Sequence, residues 1–311
     1  SLQLVNTTRS GEYLAESIYP RDFGIGAHTN YNGTYNIYFN ATPTFTSALA
    51  SGNFTVGLTS TTEFHRYGTV AIQGADYTQQ DEKVWINITS AGKTVFSTNV
   101  NATGGIVNAN WTIPWNATIR KYTIKITNST SPGTIKPIPD IQNFTITSAT
   151  FPCQIYIKNL DNKSVSSVTV KAYNGTREVS EKISNEAGLA KFSLDAYKYS
   201  FKALFKGKQV GNVSALDVGG NVTYTLICQL AYIKLSIEDK AENPLPFITV
   251  ELKYNYTKEA DKTKILSDKI TLETDYTGIV NFQNTFTNTA FTNVSYLIET
   301  KRYGYVFNRT S

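Results

Sequence analysis

The chain has 311 residues, a formal net charge of +5 and no methionine. Its 29 basic and 24 acidic residues form no strongly basic run, which argues against nucleic-acid binding. No stretch approaches 18 consecutive apolar residues, so we expect no membrane-spanning segment. A chain that starts with Ser1 and lacks methionine fits a secreted protein whose signal peptide has been removed, and we expect an extracellular, cell-surface location.

The first six residues, SLQLVN, have the pattern of a short extended strand. Leu2 and Leu4 fall on one face, because side chains alternate along a strand, and Val5 falls on the other. We expect residues 1–8 to act as a donor strand in which Leu2, Leu4 and Val5 supply the apolar contacts, followed by a linker at residues 9–20. Since Leu2 and Val5 favour opposite faces, the register of this strand stays open.

Residues 21–149 alternate short strand patterns with turn residues about every ten positions, which predicts an antiparallel β-sandwich of the immunoglobulin or transthyretin type. The predicted strands are Thr34–Phe39, Asn53–Leu58, Thr69–Ile72, Lys83–Ile88, Lys93–Phe96, Gly105–Val107 and Arg120–Ile126. The proline-containing segment Asn128–Asp140 is predicted to be a loop or linker, because proline is excluded from central strands. Asn143–Thr147 is either the last strand of this domain or the start of the next.

Residues 150–229 and 230–311 repeat one pattern, which predicts two further sandwich modules and an all-β chain. The matched segments are Val168–Tyr173 with Ile248–Lys253, Asn185–Phe192 with Asp275–Phe282, and Tyr199–Val210 with Tyr296–Phe307. Gly188 and Gly278 take the same place in a turn that requires a positive φ. The last matched pair has a constant offset of 97 residues and predicts two hairpins with glycine at the turn. No segment has a convincing amphipathic helix pattern, and Thr257–Leu266 is the only short helix candidate.

The third module is predicted to lack one strand. After Val210 the second module continues into the strand Asn221–Leu226, whereas only Asn308–Ser311 follows Phe307. An incomplete sandwich has an open groove and an unpaired edge, which another chain can complete by strand addition. We predict that the N-terminal strand of one copy completes the third module of the next, a head-to-tail contact that builds filaments. The alternatives are a smaller module, and an N-terminus that folds back on its own chain or stays disordered.

Asn-x-Ser/Thr sequons are more frequent than chance allows. The chain has 17 of them among 27 asparagines, where its 65 serines and threonines in 311 residues would give about six by chance. The sites are Asn6, Asn32, Asn40, Asn53, Asn87, Asn101, Asn110, Asn116, Asn128, Asn143, Asn162, Asn174, Asn212, Asn221, Asn255, Asn293 and Asn308. We expect covalent N-linked glycans on a surface protein, with restricted access at Asn87 and Asn221. The alternative is a strand composition that creates sequons by accident.

The two cysteines, Cys153 and Cys228, lie at the two ends of the second module. In sandwiches of this type the strands that carry them are often neighbours, and a bridge closing so long a loop would add roughly 4 kcal/mol. We predict a disulfide, with two buried free thiols as the alternative. Two isolated cysteines cannot hold zinc, and His28 and His65 have no metal-ligand spacing. We expect no catalytic residue, metal site or cofactor, and no enzymatic activity.

Dense sequons, the absence of a transmembrane segment, a free N-terminal strand and an incomplete last module together resemble the thread filament subunits of Sulfolobales archaea. The repeated modules also resemble the carboxypeptidase-regulatory and collagen-adhesin B-type domains of surface proteins. The resemblance covers the architecture of the whole chain without a short motif, and it carries over only Leu2, Leu4 and the sequon asparagines. It implies secreted, N-glycosylated subunits that link by donor-strand complementation.

The expected function is that of a structural subunit in an extracellular filament that serves adhesion or biofilm formation. Its partners are identical subunits, with cell or surface glycans as further ligands. One alternative is a surface-layer or surface-layer-associated glycoprotein, which would form sheets rather than strings. Another is a secreted glycan-binding protein.

Overall fold

The structure, a computed structural model, describes residues 33–39, 50–75, 83–103, 106–127, 140–287 and 294–310. These residues contain β-strands and no helix. The chain divides into two compact units, Ser1–Ala149 and Thr150–Ser311. The prediction of an all-β protein built from tandem antiparallel sandwich modules is confirmed.

The described part of the first unit contains three sheets, of order β1-β2, β3-β9-β8-β5-β6 and β4-β7. Its strands are β1 (Gly33–Phe39), β2 (Ala50–Val56), β3 (Glu63–His65), β4 (Thr69–Ala75), β5 (Lys83–Ser90), β6 (Lys93–Asn101), β7 (Ile106–Thr112), β8 (Lys121–Thr127) and β9 (Asp140–Thr147). All pairs are antiparallel except β3 with β9. The segment Asn143–Thr147, whose place the sequence left open, therefore belongs to the first unit.

The core of the first unit forms because apolar residues alternate along its strands. On β8, Tyr122, Ile124 and Ile126 are buried, while the residues between them are more exposed. The Tyr122 ring stacks on Phe144 with a centroid distance of 5.5 Å and lies 5.9 Å from the ring of Trp111. Such contacts between rings add to the area that each aromatic side chain buries.

The second unit contains two modules in succession. The second module consists of β10 (Thr150–Lys158), β11 (Thr169–Asn174), β12 (Arg177–Ile183), β13 (Leu189–Asp195), β14 (Tyr197–Phe205), β15 (Lys208–Val218) and β16 (Val222–Ile227). The third consists of β17 (Leu230–Ser236), β18 (Thr249–Lys258), β19 (Asp261–Glu273), β20 (Ile279–Phe286), β21 (Ser295–Arg302) and β22 (Tyr305–Thr310). Thr257–Leu266, the only helix candidate in the sequence, is not helical and spans the β18–β19 hairpin.

All three modules contain a four-strand arrangement of the same order. The three sets are β6-β5-β8-β9, β12-β11-β14-β15 and β19-β18-β21-β22. In each set the third strand has a tyrosine near its start whose hydroxyl donates to an upstream carbonyl oxygen. The pairs are Tyr122 with Thr118 at 2.9 Å, Tyr199 with Asp195 at 3.0 Å and Tyr296 with Phe286 at 2.5 Å. The repeat seen between the second and third modules therefore extends to the first unit.

The turns that the sequence placed at glycine are present. Gly188 and Gly278 have φ values of +75° and +73°, as predicted for equivalent positions. The hairpins β14–β15 and β21–β22 turn at Lys206–Gly207 and Tyr303–Gly304, where both residues of each pair have positive φ. Glycine is favoured there because it has no Cβ to clash in this region.

The predicted disulfide between Cys153 and Cys228 is contradicted, because both thiols are free and buried. Cys153 lies on β10, and Cys228 directly follows β16, which is the neighbour of β10. However, β16 runs parallel to β10 and Cys153 lies opposite Val222. Cys228 lies six residues further along, which separates the two Cα atoms by about 20 Å, whereas a bridge needs less than about 7 Å. Burial raises the pKa of the Cys153 thiol to about 11 and that of Cys228 to about 12.

Candidate functional site

Equivalent hydrogen bonds in the first turns of the second and third modules show which residues of the two modules correspond. The Asn159 side-chain oxygen accepts the N–H groups of Asp161 at 3.1 Å and Lys163 at 2.9 Å. Eighty residues on, the Asp239 carboxylate accepts the N–H groups of Ala241 at 2.8 Å and Asn243 at 2.9 Å. This offset of 80 residues makes β17 the counterpart of β10. The strand pairing agrees, since β10 pairs with β13 and β17 pairs with β20.

The candidate site is the edge of β17 at which the third module lacks a counterpart of β16. In the second module, Val222–Ile227 of β16 pairs in parallel with Cys153–Lys158 of β10. In the third module β17 pairs with β20 alone, and no described strand lies along its other edge. The predicted absence of one strand from the last module is therefore confirmed for the described residues.

The missing strand changes the burial of the side chains behind it. Cys153, Ile155 and Ile157 on β10 have no exposed surface. Their counterparts in the third module are Ile233, Leu235 and Ile237, which are only partly buried against the core of that module. Three inward-facing apolar side chains thus form the floor of a groove, which we call the β17 groove.

The wall of the β17 groove shows the same difference. The 97-residue offset makes Phe307 on β22 the counterpart of Val210 on β15, and each lies at a bulge in its hairpin. Val210 is 0% exposed, and the chain that follows β16 contacts it through a 2.7 Å hydrogen bond from the Gln229 N–H to the Val210 carbonyl. Phe307 is 51% exposed. A large apolar side chain is half exposed where its counterpart is covered.

One end of the β17 edge is already closed by the turn after β10. The Asp161 carboxylate accepts the Tyr232 N–H at 2.9 Å, and the Leu160 N–H donates to the Leu230 carbonyl at 2.8 Å. Beyond this point the Ile237 N–H points towards β20, where it bonds the Gly278 carbonyl. Because backbone groups alternate along a strand, those of Lys234 and Ser236 point outwards to the open edge.

The corresponding edge in the first unit is contacted by the chain itself. There β4 pairs with β7 as β17 pairs with β20, and the Gln73 N–H on the outer side of β4 donates to the Leu58 carbonyl at 2.9 Å. Leu58 is buried, and the Gln142 side chain accepts its N–H. Of the three modules, the third alone leaves this edge open among the residues that the structure describes.

The outer face of the third module, behind the groove, has a compact charge cluster. The carboxylates of Glu299 and Glu251 are almost completely buried beneath basic side chains. Glu299 pairs with Lys253 at 2.6 Å and Arg309 at 2.7 Å, and Glu251 with Lys301 at 2.7 Å. These hydrogen bonds, with Lys253 foremost, hold the pKa of Glu299 below its usual value, and Lys301 does the same for Glu251. Arg309 thereby ties the edge strand β22 to β21.

The predicted donor residues Leu2, Leu4 and Val5 lie outside the described residues, as does the linker at residues 9–20. The sequence pattern did predict an open groove, but it did not identify the side chains that line it. Ile233, Leu235, Ile237 and Phe307 could have been found by carrying the 80- and 97-residue offsets through the second module position by position.

The sequon asparagines whose side chains are described lie at the surface. Those that are exposed are Asn101, Asn110, Asn116, Asn143, Asn162, Asn212, Asn221, Asn255 and Asn308, and those that are half-buried are Asn87 and Asn174. Asn159, which is outside any sequon, is fully buried. Access at Asn221 is not restricted, because it precedes β16 rather than lying on it, whereas Asn87 lies on β5 as expected. Asn53 lies on β2, and the remaining sites, Asn6, Asn32, Asn40, Asn128 and Asn293, are outside the described residues.

Within the described ranges, no group of three or more histidine, cysteine, aspartate or glutamate side chains could hold a metal ion. The same ranges include no helix of the length and hydrophobicity needed to cross a lipid bilayer.

No protein-family model matches the chain, and neither does any curated protein. Among solved structures it is 16% identical to the Bacillus anthracis TIE protein, covering 75% of this chain and 45% of that one, with a TM-score of 0.23. A streptococcal ancillary pilin is 9% identical over 75% of this chain and 85% of its own, with a TM-score of 0.25. The pilus backbone of Streptococcus pneumoniae is 9% identical over 82% and 89%, with a TM-score of 0.18. The chain spans less than half of the Bacillus protein, and scores this low support no conclusion about its fold or function.

Proposed function

We propose that this protein is a non-enzymatic structural subunit of an extracellular, N-glycosylated filament of the thread type, with adhesion or biofilm formation as its role. The N-terminal strand of one copy fills the β17 groove of the next, and repetition of this contact builds a head-to-tail polymer. The observation that supports it most is the comparison of the two modules. The same fold is closed by β16 in one and left open beside β17 in the other.

The polarity of the inserted strand follows from the strand that it replaces. Since β16 runs parallel to β10, a strand that reproduces its contacts runs parallel to β17. It can pair only from Ile233 onwards, because Asp161 already binds the Tyr232 N–H. It then offers alternate side chains to the groove floor, as Val222, Tyr224 and Leu226 do on β16.

The far end of the groove sets the register. In the second module Leu226 packs against Gly211, where an added Cβ would lie 2.7 Å from the Leu226 side chain. The counterpart of Gly211 is Asn308, which faces the groove because its neighbour Arg309 pairs with Glu299 on the opposite face. A polar donor residue suits this place better than leucine.

With Leu2 opposite Ile233 and Leu4 opposite Leu235, Asn6 arrives beside Asn308. This register places both leucines on the groove floor and puts the amide side chains of Asn6 and Asn308 side by side. It leaves Val5 on the outer side of the donor strand.

The sequons at Asn6 and Asn308 then lie within the contact between copies and carry no glycan in the filament. Glycans occupy sequons on the free surface instead. Glycopeptide mass spectrometry of the native protein tests this distribution.

The test replaces the inward-facing side chains of the donor strand. In the double variant Leu2→Asp/Leu4→Asp, two carboxylates would have to enter an apolar groove in place of leucines that contribute about 1.5–3 kcal/mol each by burial. We expect monomers in sedimentation experiments and no strings in negative-stain images. The matched control is Gln3→Asp, which adds a carboxylate to the outer side of the same strand and should assemble normally. Filaments of wild-type length from the double variant would reject the proposal.

A further inference from the structure

The turn of the β14–β15 hairpin is the contact through which the second module holds the third. The Lys206 ammonium donates to the Tyr254 hydroxyl at 2.5 Å and pairs with Asp268. The Gly207 carbonyl accepts the Glu259 N–H at 2.9 Å. These groups lie on the β18–β19 hairpin and its turn, so one module seats the tip of its hairpin on the module that follows it.

Further contacts widen this junction between the modules. Lys208 is only 5% exposed, and its ammonium points at the Thr257 carbonyl, 3.4 Å away. The rings of Phe205 and Phe286 meet edge to face with a centroid distance of 5.7 Å. Tyr254, Tyr256 and Phe286 of the third module belong to the same apolar cluster as the core of the second. The tip of this hairpin is therefore an established interface.

The counterpart hairpin in the third module has a tip of different chemistry. The 97-residue offset places Tyr303 at the position of Lys206 and Tyr305 at the position of Lys208. Tyr303 is 88% exposed and Tyr305 is 80% exposed, with the Arg302 guanidinium 5.5 Å from the centre of the Tyr303 ring. Two tyrosines thus project where the preceding module uses two lysines to hold its neighbour.

The position of the tip matches the place where an inserted strand would leave the groove. In the second module the chain leaves β16 beside Val210, where the Gln229 N–H donates a hydrogen bond to the Val210 carbonyl. It then enters the third module, which lies on the hairpin tip. A donor strand parallel to β17 would leave the groove beside Phe307, the counterpart of Val210. The body of the copy that supplied it would therefore emerge next to Tyr303 and Tyr305.

We propose that the Tyr303–Tyr305 tip is a second contact between copies, which packs on the first unit of the copy whose N-terminus fills the groove. This inference rests on the proposed function. It assigns the tip the role that Lys206–Lys208 has within the chain. Tyrosine suits an interface because it buries a large rigid ring while its hydroxyl keeps a hydrogen-bond partner. The contact would fix the angle between successive copies, whereas the groove fixes only their connection.

The first experiment separates the connection between copies from the stiffness of the filament. The double variant Tyr303→Ser/Tyr305→Ser should still form filaments, because the groove is intact, but their persistence length in electron micrographs should drop severalfold. The matched control is Tyr276→Ser, which removes a tyrosine that is 81% exposed in the turn before β20 and should leave the stiffness unchanged. Thermal melting of both variants shows whether each subunit remains folded.

A second measurement locates the contact with a photoreactive aromatic residue in place of a tyrosine. Benzoylphenylalanine in place of Tyr305 should cross-link to peptides from residues 1–149 of a neighbouring copy on irradiation, and the same probe in place of Tyr276 should not. Unchanged stiffness, or cross-links confined to the probe's own copy or to other molecules, would overturn the role of the tip while leaving the groove contact in place. If the wild type forms no linked copies at all, the proposed function fails and this inference fails with it.

Discussion

Val210 and Phe307 occupy one position in two copies of the same fold and have opposite surroundings. Val210 is fully covered, and Phe307 is half exposed at the wall of the β17 groove. The side chains themselves do not explain this, since the larger and more apolar one is the exposed one. The difference arises because β16 and the chain after it cover Val210, and nothing described covers Phe307.

We predict that alanine substitutions at these two positions act at different stages. Val210→Ala should lower the free energy of unfolding of the isolated subunit by roughly 1–3 kcal/mol, because it leaves a cavity in a closed core. Phe307→Ala should lower it by less than about 1 kcal/mol but should weaken assembly. Chemical denaturation of subunits in the monomeric Leu2→Asp/Leu4→Asp background measures the change in unfolding free energy. Filament yield with an unchanged N-terminus measures the effect on assembly. Equal destabilisation of the monomer by both substitutions would contradict this assignment.

The glycine at position 278 is required for two reasons that a matched pair of variants can separate. Its φ is +73°, and an added Cβ would lie 2.7 Å from the Ile237 carbonyl oxygen. Gly304 has a similar φ of +81°, but no atom lies within 4 Å of an added Cβ. We predict that Gly304→Ala costs roughly 1 kcal/mol from backbone strain alone and that Gly278→Ala costs clearly more. Thermal melting compares the two, and similar losses would show that the close approach is relieved at no cost.

At the residue level the sequence predicted the positive-φ glycines but not the state of the cysteines. Gly188 and Gly278 could be identified because a turn between two alternating patterns needs a residue without a Cβ. The bridge between Cys153 and Cys228 was wrong because neighbouring strands do not bring two residues together unless direction and register agree. The direction of β16 is set by how the chain crosses from one sheet to the other, which no local pattern encodes.

At the level of single elements, β22 is held mainly by one hairpin pairing and one ion pair. All of its residues are exposed, and Arg309 reaches Glu299 on the neighbouring strand β21. The strand forms one wall of the groove, so its attachment determines whether the groove keeps its shape. Lys253 and Arg309 lower the pKa of Glu299 and thereby link this attachment to pH.

We predict that Glu299 contributes to stability at neutral pH and loses its contribution in acid. A carboxyl whose pKa is lower in the folded state stabilises that state above its unfolded value, near 4.5, and the gain disappears as the pH falls through the folded value. Glu299→Gln should therefore lower the melting temperature at pH 7 and flatten its fall as the pH drops below 4.5. Glu273→Gln, at an exposed position on β19, serves as the control. An unchanged acid profile in Glu299→Gln would contradict the role of this pair.

Most strands could be predicted because apolar residues alternate along them, as Tyr122, Ile124 and Ile126 do on β8. Ladder pairing could be predicted only where a short turn joins two strands, as at Gly207 and Gly304. The parallel pairing of β16 with β10 could not, because it joins segments about 70 residues apart in the sequence. The segment Thr257–Leu266 was open to a helical interpretation, and pairing of β18 with β19 decides it in favour of a hairpin.

At the level of the whole molecule, the third module has two surfaces that its own chain leaves uncovered in the described residues. The β17 groove presents apolar side chains and an open strand edge, and the hairpin tip presents Tyr303 and Tyr305. Each has a covered counterpart in the second module, where the cover comes from the next part of the same chain. In the proposed filament a second copy placed in the same way would cover both. The groove would then connect the copies, and the hairpin tip would set their orientation.

The most direct test of the central claim is a density map of the assembled material at a resolution that traces residues 1–8. We predict that these residues lie in the β17 groove of a neighbouring copy, parallel to β17, with Leu2 and Leu4 on Ile233 and Leu235 and with Asn6 beside Asn308. A groove closed by a strand of its own chain, with residues 1–8 placed elsewhere, would contradict strand exchange between copies.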